Sequence, residues 1–365
     1  MADKYPPLEK EIRRRIDAAG PMPVTQYMSL CLTHLEHGYY ITRNRLGASG
    51  DFVTAPEISQ MFGELIGLWT CTVWRQMGEP ENIRLVELGP GRGSMMLDVL
   101  RAMQVVPAFR HAVVVHFVEI SPALEKRQRL AFGGVDVHVS WYRTLEEVPE
   151  GPMIILANEF FDALPVQQAV MCADGWHERV VKIGEDDTLQ FSNARDPIPL
   201  FDQLLPSNVR DAKIGDIFEW RADQIALELG RRVVHADGAA LVIDYGHVES
   251  ATGETLQAVG AHAFADPLQT PGQLDLTAHV DFQALRQAAE SMGARSQGPI
   301  GQGQFLRNLG IGARAEGLKA SAPLHKVAEI DAAQDRLTSG ERTGMGRMFK
   351  AIGFAHPKLG PLPGF

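Results

Sequence analysis

Several acidic residues stand where an apolar run stops, and buried strands that end together can gather such groups at one site. Glu87 closes the run LVE and is followed by Gly89, Gly91 and Gly93; Glu119 closes AVVVHFVE; Glu159 and Asp162 come just after MIILAN; Asp244 comes after ALVI. Glycines at alternate positions let backbone N–H groups approach a ligand that any Cβ would hold away. A carboxylate at the end of the second strand can accept two hydrogen bonds from ribose hydroxyls. Glu159 and Asp162, three residues apart, share a face if their turn is helical, and group-transfer chemistry belongs at that end of an open sheet. The structural alternatives are a glycine turn that only packs a helix on a sheet, and carboxylates that only favour helix N-termini.

These residues need a scaffold of alternating strands and helices. Leu85, Val86 and Leu88 read as a buried parallel strand, 89–93 as a tight turn and 95–103 as a helix. The β-branched run 111–118 is the second strand, 135–139 the third, 153–156 the fourth and 239–243 the next. Trp141 follows the third strand, where an apolar wall can border an adenine, and Asn158 follows the fourth. The pattern predicts an α/β protein with a doubly wound, Rossmann-like sheet.

Residues 8–36 read as two helices broken at Gly20-Pro21-Met22-Pro23, with Thr25 capping the second. A long polar stretch then carries Asp51, Thr54 and Glu57 into a helix over 60–76, with Thr54 as its cap, and is a candidate binding loop. Residues 169–183 and 188–191 read as hairpin strands, and 217–232 as a helix. A helix follows over 281–293, then a helix near 304–311 and a strand-like end at 343–354. The domain organisation expected is an N-terminal helical extension and binding loop over 1–80, a core over 81–166 and 236–365, and an inserted, substrate-facing subdomain over 167–235.

At 365 residues and 45% hydrophobic content the chain can fill a substantial core, and a formal net charge of −10 disfavours tracking a nucleic-acid backbone. Cys31, Cys71 and Cys172 have neither paired nor C-x-x-C spacing, so no disulfide framework and no metal site is expected. With no apolar run long enough to span a membrane, no apolar leader core, and Glu9, Glu11 and Asp17 set against a presequence, the expected compartment is the cytoplasm, with no membrane span.

The dinucleotide fingerprint would place its third glycine at position 94, where Ser94 stands. The loop reads E-x-G-x-G-x-G from Glu87 instead, which resembles motif I of class I S-adenosylmethionine (SAM)-dependent methyltransferases. That resemblance implies glycines packed on the methionine part of the cofactor and an acid ordering the loop and its waters.

Taken together, GDFVTAPEISQMFGE (50–64), VELGPGRG (86–93), NEFFDALPV (158–166), VIDYG (242–246), DPLQTPGQLDLTAHVDF (266–282) and MGRMFK (345–350) resemble the MidA-like family. These are SAM-dependent methyltransferases related to the mitochondrial complex I assembly arginine methyltransferase. The resemblance implies the class I methyltransferase fold and SAM as cofactor. It further implies symmetric dimethylation of an arginine in a quinone-side subunit of respiratory complex I, in aid of its assembly. Carboxylates gripping two N–H groups could fix a guanidinium and localise its charge away from the attacking nitrogen, a task that falls to Glu159 and Asp162. Cofactor contacts fall to Glu87, Gly89, Gly91, Gly93, Glu119, Trp141 and Asn158, and acceptor contacts to Asp51, Thr54, Glu57, Asp244 and Tyr245. A non-catalytic assembly factor on the same fold and a small-molecule methyltransferase are the competing readings.

Overall fold

The computed structural model describes residues 4–42, 54–260 and 263–365. Its centre is a sheet whose main strands are β1 (Ile83–Leu88), β2 (Val113–Val118), β3 (Val139–Tyr142), β4 (Met153–Asn158), β5 (Ala239–His247), β6 (Arg295–Gly301) and β7 (Phe349–Ala355). They lie in the order β6-β7-β5-β4-β1-β2-β3, with β7 antiparallel to both its neighbours and β1 to β5 mutually parallel. The short strand Val280–Asp281 joins the end of β5.

Alternation along the strands divides the core between the two faces. Leu85, Ile154, Leu241 and Ala351 pack on one side, with the helices Gln60–Gln76 and Ser94–Ala102. Val86, Ile155, Val242 and Ile352 pack on the other, with Gln224–His235 and Phe282–Ser291. Helices on both faces of a mostly parallel sheet make the fold doubly wound, as the sequence predicts.

Register fixes the site. Leu88 pairs with Val118 on one side and Ala157 on the other, and Asn158 pairs with Ile243. The residues that follow these pairs, Gly89, Glu119, Glu159 and Asp244, therefore gather along one edge, with Asp244 still inside β5, which runs to His247 rather than ending at 243. Since β1 stands where the strand order reverses, that edge is where an open α/β sheet binds its ligands.

A second, antiparallel sheet contains Val166–Cys172, Gly175–Ile183, Leu189–Pro197 and Ile217–Arg221, joined by Met22–Pro23. The N-terminal helices Pro7–Ala19 and Val24–Thr33 pack on it and on the small sheet of Gln257–Gly260, Ala263–Ala265 and Asp275–Thr277.

Several expected elements are corrected. The third strand is Val139–Tyr142, not 135–139, because its parallel register with Val115–Val118 runs through Ser140, Trp141 and Tyr142. Residues 217–232 are not one helix: Ile217–Arg221 pairs antiparallel with Val166–Val170, and a helix begins only at Gln224. Phe218 and Trp220 share one face with Phe201 while Glu219 bonds Gln168 on the other, a period of two rather than 3.6. Thr25 caps nothing, since Pro23 holds the N-cap position of Val24–Thr33. Thr54 precedes only the short helix Ala55–Ile58 and makes no side-chain cap bond; the Ser59 hydroxyl caps Gln60–Gln76 by accepting from the Met61 N–H at 3.2 Å. The helices Ile311–Ser321 and Leu324–Thr338 add a layer that the sequence pattern did not reveal.

Candidate active site

Strand β1 delivers the chain to a turn in which Gly89, Gly91 and Gly93 all adopt positive φ, at 61°, 55° and 81°. Side chains rarely tolerate that region, and at Gly89 and Gly93 space opposes them as well. A Cβ on Gly89 would stand 2.9 Å from the Phe160 ring and one on Gly93 2.7 Å from the Phe132 ring. Glu87, just before the turn, is buried, and its Oε2 has no hydrogen-bond partner among the described residues. Burial, with Glu119 nearby, pushes its carboxyl up to about 8. An orphaned carboxylate oxygen beside a glycine cradle is costly unless a ligand or water donates to it, so the residues present fit a cofactor with donor groups.

On the β2 side, Glu119 Oε1 accepts from the Ser121 N–H at 2.8 Å and Oε2 from Gln128 Nε2 at 3.0 Å. Burial raises this carboxyl to about 7 against those donors and the Arg143 charge. Trp141 lies within β3, its ring under the Arg129 guanidinium at 4.0 Å and its Nε1 donating to Gln128 Oε1 at 2.9 Å. Gln128 is a residue that sequence reasoning missed; it lies on the helix Pro122–Phe132 with nothing in its local pattern to mark it.

Past β4 the backbone is not helical, so the condition under which Glu159 and Asp162 would share a helix face is not met. Glu159 sits at φ 50°, and the N–H groups of Phe160, Phe161 and Asp162 all point to Asp244 Oδ2, at 3.2, 2.9 and 3.2 Å. Asp244 Oδ1 accepts a fourth N–H, from Tyr245, at 2.9 Å. Asp244 thus moulds the loop that carries the acid pair. Glu159 Oε1 accepts from the Ala55 N–H at 3.1 Å and from Asn158 Nδ2 at 3.2 Å. Burial, then the nearby Asp162, raises its carboxyl to about 7. Asp162 is raised by burial to about 6 although the Arg221 charge and the Tyr245 hydroxyl pull down, and its Oδ1 lacks a partner among the described residues.

Arg221, also missed from the sequence, donates from Nε to the Leu164 carbonyl and from its Nη groups to those of Asp162, Ala278 and His279, at 2.6–3.2 Å. It fastens the second sheet to the loop of the acid pair. Tyr40 is similarly central: its hydroxyl donates to Asp275 at 2.9 Å, and its carbonyl accepts from the Ser121 hydroxyl at 2.6 Å.

The fold therefore brings Glu87, the three glycines, Glu119, Asn158, Glu159, Asp162, Asp244 and Tyr245 to one edge, with Trp141 reaching it through Gln128. Thr54 joins through the segment that Ala55 fastens to Glu159. Glu57 lies on the cofactor-loop side, where its Oε1 accepts from the Ser94 hydroxyl at 2.7 Å. Asp51 lies outside the described residues.

Comparison with known proteins agrees with this geometry. Residues 65–300 match a protein family described as "Putative S-adenosyl-L-methionine-dependent methyltransferase". The chain is 36% identical to the Drosophila melanogaster protein arginine methyltransferase NDUFAF7 homolog, mitochondrial, over 98% of this chain and 88% of that one. To the Homo sapiens protein arginine methyltransferase NDUFAF7, mitochondrial, it is 38% identical over 84% and 74%. A crystal structure of a Burkholderia thailandensis protein bound to S-adenosyl-homocysteine superposes with a TM-score of 0.83 at 27% identity, covering 98% of this chain and 93% of that one.

The cytoplasmic expectation is corrected by these relatives, which are named mitochondrial. No helix among the described residues is long and apolar enough to cross a membrane. The cofactor is S-adenosylmethionine, and the chain belongs to the family of S-adenosylmethionine-dependent methyltransferases that includes the NDUFAF7 proteins.

Proposed function

We propose that this methyltransferase modifies arginine side chains of a protein acceptor, with Glu159 and Asp162 as the groups that hold the guanidinium. The names of the relatives support arginine as the acceptor residue. The observation that carries the reading is the pair of raised carboxyls just past β4, one strand from the glycine turn, with Asp162 Oδ1 left without a partner among the described residues. Resemblance to the MidA-like family adds a quinone-side subunit of respiratory complex I as the acceptor, and assembly of that complex as the purpose.

Bound S-adenosylmethionine supplies an electrophilic methyl on a sulfonium. The chain's task is then to hold the acceptor nitrogen in line and keep water away. Glu87 and the turn at Gly89, Gly91 and Gly93 receive the methionine part, Glu119 the ribose hydroxyls, and Trp141 and Asn158 flank the remainder. The donors Ala55 and Asn158 hold Glu159 by Oε1, and its Oε2 would accept from a guanidinium N–H. A carboxyl near 7 can also take the proton that the nitrogen sheds as the methyl arrives. Asp162 Oδ1 offers the second acceptor, and two carboxylates draw positive charge away from the attacking nitrogen.

Asp244 acts from behind by shaping their loop, and Tyr245 lies beside it. Thr54, next to the Ala55 that donates to Glu159, would border the acceptor, whereas Glu57 is engaged by Ser94 at the helix after the glycine turn. The test is the double variant Glu159→Gln, Asp162→Asn. It should still bind S-adenosylhomocysteine in calorimetry while losing transfer by on the order of a hundredfold or more. Near-wild-type transfer in that variant contradicts the assignment.

A further inference from the structure

Gln128 is fully buried on the inner side of the helix Pro122–Phe132. Its Nε2 donates to the Gly91 carbonyl at 2.7 Å and to Glu119 Oε2 at 3.0 Å, and its Oε1 accepts from Trp141 Nε1 at 2.9 Å. The partners leave no freedom to flip the amide, since an indole can only donate and a carbonyl can only accept. One side chain thus joins the glycine turn, the acid beyond β2 and the indole on β3.

We infer that Gln128 is a positioning residue for the cofactor, holding the Glu119 carboxylate toward the ribose hydroxyls and locking it to the glycine turn. This rests on the reading of Glu119 as the ribose acceptor. Ser121 N–H donates to one Glu119 oxygen and Gln128 Nε2 to the other, with a further backbone contribution from Ile120, and the remaining acceptor capacity would serve the ribose hydroxyls. Glu87 faces Glu119 from β1, Arg143 binds its carbonyl from beyond β3, and Tyr40 holds Ser121 in place. Without the amide, the carboxylate would keep only backbone donors, from Ser121 and Ile120, both on one side of it, and could tilt away from the ribose.

The experiment is calorimetric titration of the full chain with S-adenosylhomocysteine from pH 6 to pH 9. The variants are Gln128→Leu, Gln128→Glu, Glu119→Ala and the double Glu119→Ala, Gln128→Leu. Gln128→Leu should weaken binding about tenfold, the worth of one hydrogen bond to a charged group. It should also move the midpoint of the pH dependence upward, because a carboxylate with fewer donors holds its proton longer. Gln128→Glu keeps the shape and one acceptor, but sets a second carboxylate against Glu119, so its deficit should grow from pH 6 to pH 9. The double variant should bind no worse than Glu119→Ala alone.

Unchanged affinity in Gln128→Leu, additive losses in the double variant, or a Gln128→Glu deficit independent of pH would overturn the inference. If Gln128→Leu does not fold, the near-isosteric Gln128→Glu decides by its pH slope. Unchanged affinity in Glu119→Ala would instead remove the ribose reading itself, so the two failures are told apart.

Discussion

Glu159 Oε1 lies 3.1 Å from the amide nitrogen of Ala55, so the segment leading into the helix Gln60–Gln76 is fastened to the acid that follows β4. The fold holds that acid at φ 50° and raises its carboxyl to about 7, both unfavourable to an ionised glutamate in a relaxed loop. Glu159→Gln removes the charge but keeps an oxygen for Ala55. We predict a melting temperature at pH 8 equal to or above wild type, measured by calorimetry, with transfer reduced by on the order of a hundredfold. A parallel loss of both would make Glu159 a structural residue.

Asp244 should behave in the opposite way. Its two oxygens accept four backbone N–H bonds, and Asp244→Ala leaves those buried donors unsatisfied. At about 1–3 kcal/mol per orphaned group, relaxation included, we expect a total loss of about 3 kcal/mol or more in urea unfolding. Cofactor affinity would fall mainly through the loss of fold. A stability change under about 1 kcal/mol would contradict the moulding role.

The contrast between these two acids marks how far the sequence could be read. Strand-end position is a matter of register, and register follows from apolar runs, so the gathering of Gly89, Glu119, Glu159 and Asp244 was legible before any coordinates. What each acid does depends on which donors face it, and those come from distant segments. Asp244 reads as an acceptor contact from its place after the apolar run 239–243, yet its oxygens are engaged by a loop some eighty residues earlier in the chain. Gln128 and Arg221 were invisible for the same reason, their partners being carbonyls and acids of other elements. The strand at Ile217–Arg221 was misread as helix because a short aromatic run followed by a helix gives no boundary until its pairing partner is known.

Stability and affinity should run in opposite directions with pH. In the free protein Glu87, Glu119 and Glu159 titrate at about 8, 7 and 7, above the ordinary 4.5, and Asp162 at about 6, above 3.8. Between these limits these four groups hold more protons in the folded state than in the unfolded one, so their contribution to stability falls as pH rises from about 4 to about 8, opposed below about 6.5 by His116, which burial pushes down to about 4. Binding to ionised Glu119 should strengthen over the same rise, centred near 7. Melting curves with and without S-adenosylhomocysteine at pH 5.5, 7 and 8.5 should therefore show a ligand-induced shift that grows with pH. A shift that shrinks would contradict the ionised ribose acceptor.

Gly91 sits at φ 55°, where a β-branched residue is strongly disfavoured. We predict that Gly91→Val folds, by circular dichroism, but loses detectable S-adenosylhomocysteine binding, for which the intact protein should show micromolar affinity. Retained affinity within about threefold would mean that the turn only packs a helix on the sheet.

The most direct measurement of the account is transfer itself. The protein is incubated with S-adenosylmethionine carrying an isotopically labelled methyl group and a lysate of cells that lack it, and the labelled polypeptide is digested and sequenced by mass spectrometry. The account predicts label on an arginine guanidinium of one protein, absent when Glu159→Gln, Asp162→Asn replaces the intact enzyme. Label confined to a small molecule, to another side chain, or retained by that double variant would contradict it.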